Sequence, residues 1–212
     1  MTQIVEVLVP TGIPPLVELQ SMAPRLESLR GKRVALLNAM FDVTGSFLEE
    51  LQDWFRIHLP ETDTFILEIE NSHGDNLPVA ERGIVKDTGH LERIKAEADA
   101  AIIALGLCAS CTQAVAGTAI SLETEYGVPA IAVHNSAFKR LTQNMVRTHG
   151  MPYLRQAYTP APVINLTHAE LRAYIEGIDP VAGRPFMDVV QDGLTVEVSA
   201  DELEAALAGI VV

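Results

Sequence analysis

The sequence predicts an α/β protein with three layers, in which an open, mostly parallel sheet carries helices on both faces. Two observations lead to this prediction. Apolar runs of strand length alternate with segments whose apolar residues recur at helical spacing, a pattern typical of parallel sheets. The run 99–105 (DAAIIAL) also forms a continuous apolar strand of the kind that is covered on both faces.

The predicted strands are short apolar or alternating runs bounded by turn-forming residues. In chain order they are 33–39 (RVALLNA), 64–69 (TFILEI), 99–105 (DAAIIAL) and 130–133 (AIAV). The first follows a turn-like Arg-Gly-Lys, the second is followed by the polar loop 71–76, and Val128-Pro129 opens the fourth. Helical segments lie between them, as parallel strand pairing requires.

The predicted helices between the strands are 46–59, 90–98, 112–126 and 136–148. The first has an apolar face that includes Phe47, Leu51 and Phe55. The third ends at Gly127, a residue type that helix C-termini favour. Glu123, near the end of this third helix, is expected on a solvated face.

The pattern weakens after residue 150, where prolines at 152, 160 and 162 predict extended chain. The predicted elements here are a helix over 167–177, short strands over 186–198 with a turn at Gly193, and a terminal helix over 200–208. Thr167 is a suitable N-cap for the first of them. We therefore expect 1–165 to form the α/β domain, and 166–212 to form a helical and short-strand extension packed on the same domain.

The composition of the chain argues against some classes of function. The 212 residues are 48% hydrophobic, which is enough to bury a full core, and the net charge of -13 argues against nucleic-acid binding. The N-terminus lacks a basic segment followed by an apolar one, and no apolar run approaches the ~18 residues that span a bilayer. The sequence therefore predicts a soluble cytoplasmic protein with neither nucleic-acid nor membrane partners.

Both cysteines of the chain, Cys108 and Cys111, lie three residues apart where a predicted strand turns into a helix. Backbone N–H groups at a helix N-terminus favour thiolate over thiol. In a reducing compartment this spacing is more often catalytic, redox-active or metal-binding than structural. Structural zinc needs four ligands, and a second such pair is absent, so no metal is expected. A glycine-rich dinucleotide fingerprint is absent too, and no cofactor is expected. The simpler alternative is that both are small buried hydrophobes.

Three polar junctions are expected to meet at the carboxyl ends of the strands, where ligands bind in open parallel sheets. Cys108 is the predicted nucleophile, Cys111 the residue that resolves its adduct, and His134 the acid or base. The remaining candidates are expected to bind substrate, and they are Asn38, Ser110, Thr112 and Asn135. Ser110 and Thr112 are equally explained as helix caps.

The segment 99–112, with Leu122-Glu123 and Gly127-Val128-Pro129 downstream, resembles the UGSC family of selenoproteins and their cysteine homologues. The family is named after its motif, selenocysteine-Gly-Ser-Cys. Cys108 stands at the selenocysteine position, Ala109 replaces the glycine, and Ser110 and Cys111 match. The resemblance extends upstream to 29–38 and to Val9-Pro10-Thr11.

More distantly, this strand, turn and helix resemble the selenocysteine-bearing B subunits of glycine and proline reductases. In those enzymes a selenol attacks the substrate and thiols then reduce the adduct. The resemblance implies that position 108 is redox-active or strongly nucleophilic.

Three hypotheses remain open. The first is a cysteine enzyme with thiol-based redox chemistry, such as reductive cleavage of a small electrophilic substrate, supported by a thiol reductant. The second is a lyase, hydrolase or isomerase of the Asp/Glu racemase type, without redox change. The third is a non-catalytic ligand-binding α/β protein. The apolar tail 205–212 also suggests a homo-oligomer, although docking on its own domain explains it equally well.

Overall fold

The computed structural model describes residues 18–38, 42–68 and 88–208. Within them lies a five-stranded, all-parallel sheet with the order β2-β1-β3-β4-β5. The strands are β1 (Arg33–Asn38), β2 (Asp63–Glu68), β3 (Ala100–Gly106), β4 (Ala130–Asn135) and β5 (Gln156–Thr159). The predicted open parallel sheet is therefore confirmed.

Helices cover both faces of this sheet. In chain order the helices are α1 (Asp42–His58), α2 (Thr88–Glu97), α3 (Ala109–Ser121), α4 (Lys139–Thr148), α5 (His168–Ile175), α6 (Phe186–Thr195) and α7 (Ala200–Ala208), of which α7 buries no residue. The apolar core on one face joins the sheet to α1, α5 and α6, and the core on the other joins it to α2, α3 and α4. A π-helical turn, Leu122–Tyr126, continues α3, and a 3-10 turn, Ser136–Phe138, precedes α4. The three-layer arrangement is confirmed.

Hydrophobic burial accounts for the best-predicted elements. Every residue of β3 is buried, because helices cover both of its faces. On α1, Phe47, Leu51 and Phe55 are fully buried against the sheet, as their helical spacing predicts. Thr167 caps α5 through a capping box with Glu170, so the predicted start of this helix is also confirmed.

Two parts of the prediction differ from the structure after residue 150. The predicted short strands over 186–198 are wrong, because α6 occupies Phe186–Thr195 and buries Phe186, Val190 and Leu194 at helical spacing. The strand β5 lies inside the segment expected only to be extended. It has four residues, and its parallel pairing with β4 rather than its own apolar pattern defines it.

Glu123 is not on a solvated face, so that expectation is wrong. Its side chain is 0% exposed and forms an ion pair with the Arg25 side chain, which is 1% exposed. The Glu123 carboxylate also accepts hydrogen bonds from the backbone N–H groups of Ala23 and Ala130, both at 2.7 Å. This buried cluster fastens the segment before β1 to the amino end of β4.

Some predictions fall on parts of the chain outside the described residues. These are Val9-Pro10-Thr11, the last residues of the first two predicted strands, 39 and 69, the loop 71–76 and the last four residues of the apolar tail, 209–212. Among the described residues no helix has the length and apolar character needed to cross a membrane.

Candidate active site at the carboxyl edge of the sheet

The sheet has one point at which its strand order changes direction. From β1 the chain passes to β2 on one side and then returns to β3 on the other. The helices that follow β1 and β3 consequently pack on opposite faces, since α1 belongs to one apolar core and α3 to the other. In open α/β sheets, ligands bind outside the carboxyl ends of the strands at such a divergence, and we therefore expect a ligand crevice between the carboxyl ends of β1 and β3. Cys108 follows β3 directly at this crevice.

Cys108 is the N-cap of α3, with extended backbone angles of φ -142° and ψ 173°. Its Sγ accepts a hydrogen bond from the backbone N–H of Cys111 at 3.1 Å and lies 3.3 Å from Ser110 Oγ. A side chain in this position receives the partial positive charge of the first helical turn. The predicted strand-to-helix turn is therefore present, with its first sulfur placed at the helix N-terminus.

The two sulfur atoms are joined as a disulfide, with the Cα atoms 5.1 Å apart. Their surroundings differ. Cys108 is half-buried and is followed by the exposed Ala109 and Ser110, whereas Cys111 is fully buried beside Ala114. The sulfur of Cys108 is thus the one nearer the surface, and Cys111 lies behind it.

His134 lies beneath this turn, near the end of β4. It pairs in register with Gly106, and a Cβ atom at Gly106 would lie only 2.2 Å from His134 Nδ1, so the imidazole occupies the space that a side chain would need. Burial lowers the pKa of His134 to about 3. Both ring nitrogens lack a hydrogen-bond partner among the described residues. A neutral imidazole can donate one hydrogen bond and accept another, but it supplies no positive charge to a thiolate.

Tyr158 is a neighbour of His134 that the sequence did not indicate. The two ring centroids are 5.9 Å apart, and the Tyr158 hydroxyl lies within hydrogen-bonding distance of Thr142 Oγ1 and Gln156 Oε1. Burial raises the pKa of Tyr158 to about 12. The residue escaped the sequence analysis because β5, which carries it, is too short to give a strand pattern.

The predicted substrate-binding residues lie at the carboxyl ends of β1 and β4 and in the first turn of α3, which follows the strand between them. Asn38 ends β1 and is buried opposite Ala104 of β3. Asn135 ends β4, and its Oδ1 accepts a hydrogen bond from the Ala137 N–H at 2.9 Å, so it also caps the 3-10 turn. The strand ends thus bring these asparagines and the cysteine turn to one edge of the sheet.

Buried hydroxyl groups near this edge lack hydrogen-bond partners among the described residues. Thr112, one residue after Cys111, is fully buried with its Oγ1 unpaired. Thr44, in the first turns of α1, is in the same situation and was not singled out by the sequence. In the described parts of the chain, no group of three or more His, Cys, Asp or Glu side chains is arranged to hold a metal ion.

Fold and site together define the class of protein: an open parallel α/β protein with a Cys-x-x-Cys disulfide at the point where its strand order reverses. The chain belongs to the UGSC family, whose family model matches residues 6–186. Among curated proteins none matches the sequence. The matched region contains the whole sheet and the cysteine turn.

Proposed function

We propose that the protein is a cysteine-dependent oxidoreductase, in which the Cys108 thiolate attacks a small electrophilic substrate and Cys111 resolves the adduct. The observation that carries this proposal is the Cys108–Cys111 bond just after β3, at the point where the strand order changes direction. Ligands of open parallel sheets bind at such a point. Two thiols within bonding distance of each other there are able to deliver two electrons to a bound substrate.

The different burial of the two sulfurs supports the division of roles. A substrate in the crevice meets the half-buried Cys108, while the fully buried Cys111 is positioned to attack the Cys108 sulfur from behind. The Cys111 N–H that points at Cys108 Sγ in the disulfide stabilises a thiolate there after reduction. The Ser110 hydroxyl provides a second donor.

The proposed reaction has two steps. The Cys108 thiolate attacks a substrate R–X, an S–R bond forms, and X leaves with the electron pair of the broken bond. The Cys111 thiolate then attacks the Cys108 sulfur, and R leaves with the S–R electron pair and takes up a proton. The substrate is reduced to R–H by two electrons, and the two thiols are oxidised to the disulfide. A small thiol or a dithiol protein restores the thiols by exchange.

His134 enters this proposal as a neutral hydrogen-bonding group beneath the turn rather than as a charged partner, because its pKa of about 3 keeps it unprotonated near neutrality. Asn38, Ser110, Thr112 and Asn135 are proposed to orient the substrate in the crevice. The cycle requires a compartment that keeps thiols reduced, such as the cytoplasm.

The test uses reduced protein incubated with a panel of small electrophiles and analysed by intact-protein mass spectrometry. The wild type is expected to progress from an adduct to the disulfide, and Cys111→Ser is expected to accumulate the adduct on Cys108. Cys108→Ser should form no adduct and lose turnover. Full activity in Cys108→Ser, or labelling of Cys111 in the wild type, would contradict the proposal.

The same experiment separates the two other functional classes. A lyase, hydrolase or isomerase that uses the Cys108 thiolate turns over without any reductant and never accumulates the disulfide. A ligand-binding protein has two thiols that react no faster than an ordinary cysteine. Turnover that stops after one equivalent and resumes on addition of thiol is the result that the redox proposal requires.

A further inference from the structure

A polar cleft lies at the end of the sheet opposite Cys108. Its volume is about 320 Å³, and its wall includes Ile131 near the start of β4, Gln156 at the start of β5, and Ala206 of α7. The rest of the wall comes from α4, α6, Tyr158 of β5, the segment 152–155 before β5, and Arg184 just before α6. The volume lies at the small end of the range of ligand pockets.

Three arginines, Arg147, Arg155 and Arg184, line this cleft. We name it the arginine cleft after them. The chain has 15 basic residues against 28 acidic ones, so their convergence departs from the overall charge balance. Asp192 is the acidic residue of the lining, and Glu202 reaches Arg155 from α7. Three guanidinium groups thus meet two carboxylates, which leaves one positive charge in excess.

Arg155 is held in place by its neighbours. Its Nη1 donates to Glu202 Oε1 and its Nη2 donates to the Val196 carbonyl, both at 2.9 Å, and its side chain is only 18% exposed. Its Nε is buried and has no hydrogen-bond partner among the described residues. Arg184 is paired with Asp192 at 2.5 Å. Two of the three guanidinium groups are therefore oriented by carboxylates at the rim.

Arg147 differs from Arg155 and Arg184 in that the described residues contain no acidic partner for it. It is half-buried in the last turn of α4, where the helix dipole favours a cation without neutralising it. An unpaired, partly desolvated guanidinium beside two oriented ones forms an attractive site for an anion.

Parts of the cleft wall are fixed by close packing and hydrogen bonding. A Cβ atom at Gly193 would lie 2.5 Å from Ile131 Cδ1, so the backbone of α6 packs directly against β4. The Tyr158 hydroxyl, hydrogen-bonded to Gln156 Oε1 at 2.8 Å, fixes another part of the lining. A ligand that enters this cleft meets preset donors, which reduces the entropy cost of binding.

We propose that the arginine cleft binds a small organic anion with a carboxylate or phosphate group, at a site separate from the cysteine turn. The planar guanidinium group matches both of these groups in bidentate geometry. Arg147 provides the unpaired charge, and Arg184 at the rim provides further donors. The ligand is small because the cleft holds about 320 Å³.

The test titrates inorganic phosphate and, in a separate arm, succinate into the full chain at constant ionic strength, with calorimetry and amide chemical shifts as readouts. Saturable binding is expected, with the dissociation constant raised about tenfold or more in Arg147→Gln. Arg140→Gln is the matched control, because Arg140 is an exposed residue of the same helix outside the lining. Tighter binding of phosphate or of succinate shows whether the site prefers a phosphate or a carboxylate group.

Binding that is unchanged in Arg147→Gln, or weakened equally in Arg140→Gln, would overturn the proposal, as would absence of saturable binding in both arms. Cys108→Ser is expected to bind either anion as the wild type does. Because this readout does not use turnover, failure of the anion site and failure of the proposed oxidoreductase activity are distinguishable.

Discussion

The two ends of the sheet differ in whether their buried polar groups have partners. At the amino end, Glu123 accepts backbone hydrogen bonds from Ala23 and Ala130 and pairs with Arg25. Arg25 in turn donates to the carbonyl groups of Ala23 and Gly193. Each charge is thus compensated by its partner and by several hydrogen bonds, which is the condition for a tolerable buried ion pair.

The carboxyl end leaves several buried polar atoms without a partner among the described residues. They are Thr44 Oγ1, Thr112 Oγ1 and both ring nitrogens of His134. Such atoms are rare in folded proteins, because each one costs free energy. Arg155 Nε at the amino end is also buried without a partner, but both Nη atoms of that guanidinium are hydrogen-bonded. The unpaired groups therefore concentrate at the carboxyl end, which we propose serves chemistry at Cys108.

The largest expected loss of stability comes from breaking the buried ion pair at the amino end of the sheet. Glu123→Gln leaves the Arg25 charge buried without a counter-charge and should lower the free energy of unfolding by about 3–5 kcal/mol. Glu125→Gln, two residues away on the same helical turn but exposed, is the control and should change little. Chemical denaturation measures both. A loss from Glu123→Gln no greater than the control would show that the two ends do not differ in this way.

The next prediction concerns the close packing beneath the cysteine turn. Gly106→Ala places a methyl group 2.2 Å from the present position of His134 Nδ1, so the ring or the turn must shift, at a cost of about 1–3 kcal/mol. Gly117→Ala, in the middle of α3 where a Cβ atom meets nothing within 4 Å, should instead stabilise the protein by roughly 0.5–1 kcal/mol. Equal effects of the two substitutions would contradict this packing.

The third prediction concerns pH. Since burial lowers the pKa of His134 to about 3, the unfolded chain binds a proton there at a higher pH than the folded protein does. Stability from this residue is therefore full above its unfolded pKa of about 6.5 and falls as the pH drops towards 3, by up to about 1.4 kcal/mol per pH unit. His134→Gln should remove this part of the slope in denaturation series. An identical slope in both proteins would mean that His134 is not buried and neutral.

The smallest effect compares two fully buried threonines. Thr142 Oγ1 is hydrogen-bonded to the Lys139 carbonyl and to the Tyr158 hydroxyl, so Thr142→Val should lower the free energy of unfolding by about 1–2 kcal/mol. Thr112 Oγ1 has no partner among the described residues, so Thr112→Val should be neutral or stabilising by up to roughly 1 kcal/mol. Equal costs would show that Thr112 is paired in solution.

Local pattern was sufficient to predict most of the architecture. The strands β1 to β4 are apolar runs, and α1 and α5 carry an apolar face or a cap that depends on neighbouring residues alone. The short strands expected over 186–198 were wrong because the valines of this segment favour strands locally, whereas the contacts of Phe186, Val190 and Leu194 with the core select a helix.

The site could be predicted only in part. The spacing of Cys108 and Cys111 and their place after β3 follow from sequence, and so does the meeting of strand ends at one edge. At the other end of the sheet, the burial of Glu123 does not follow from sequence, because its partner Arg25 is 98 residues away in the chain. The neutral state of His134 likewise depends on packing from β3 and β5, which no local pattern encodes.

The most direct test of the account is the rate at which each cysteine of the reduced protein is alkylated as a function of pH. We expect Cys108 to react first, with a midpoint below the ordinary thiol pKa of about 8.5, and Cys111 to react slowly because it is buried. Faster modification of Cys111, or two sulfurs that react alike with an ordinary midpoint, would contradict it.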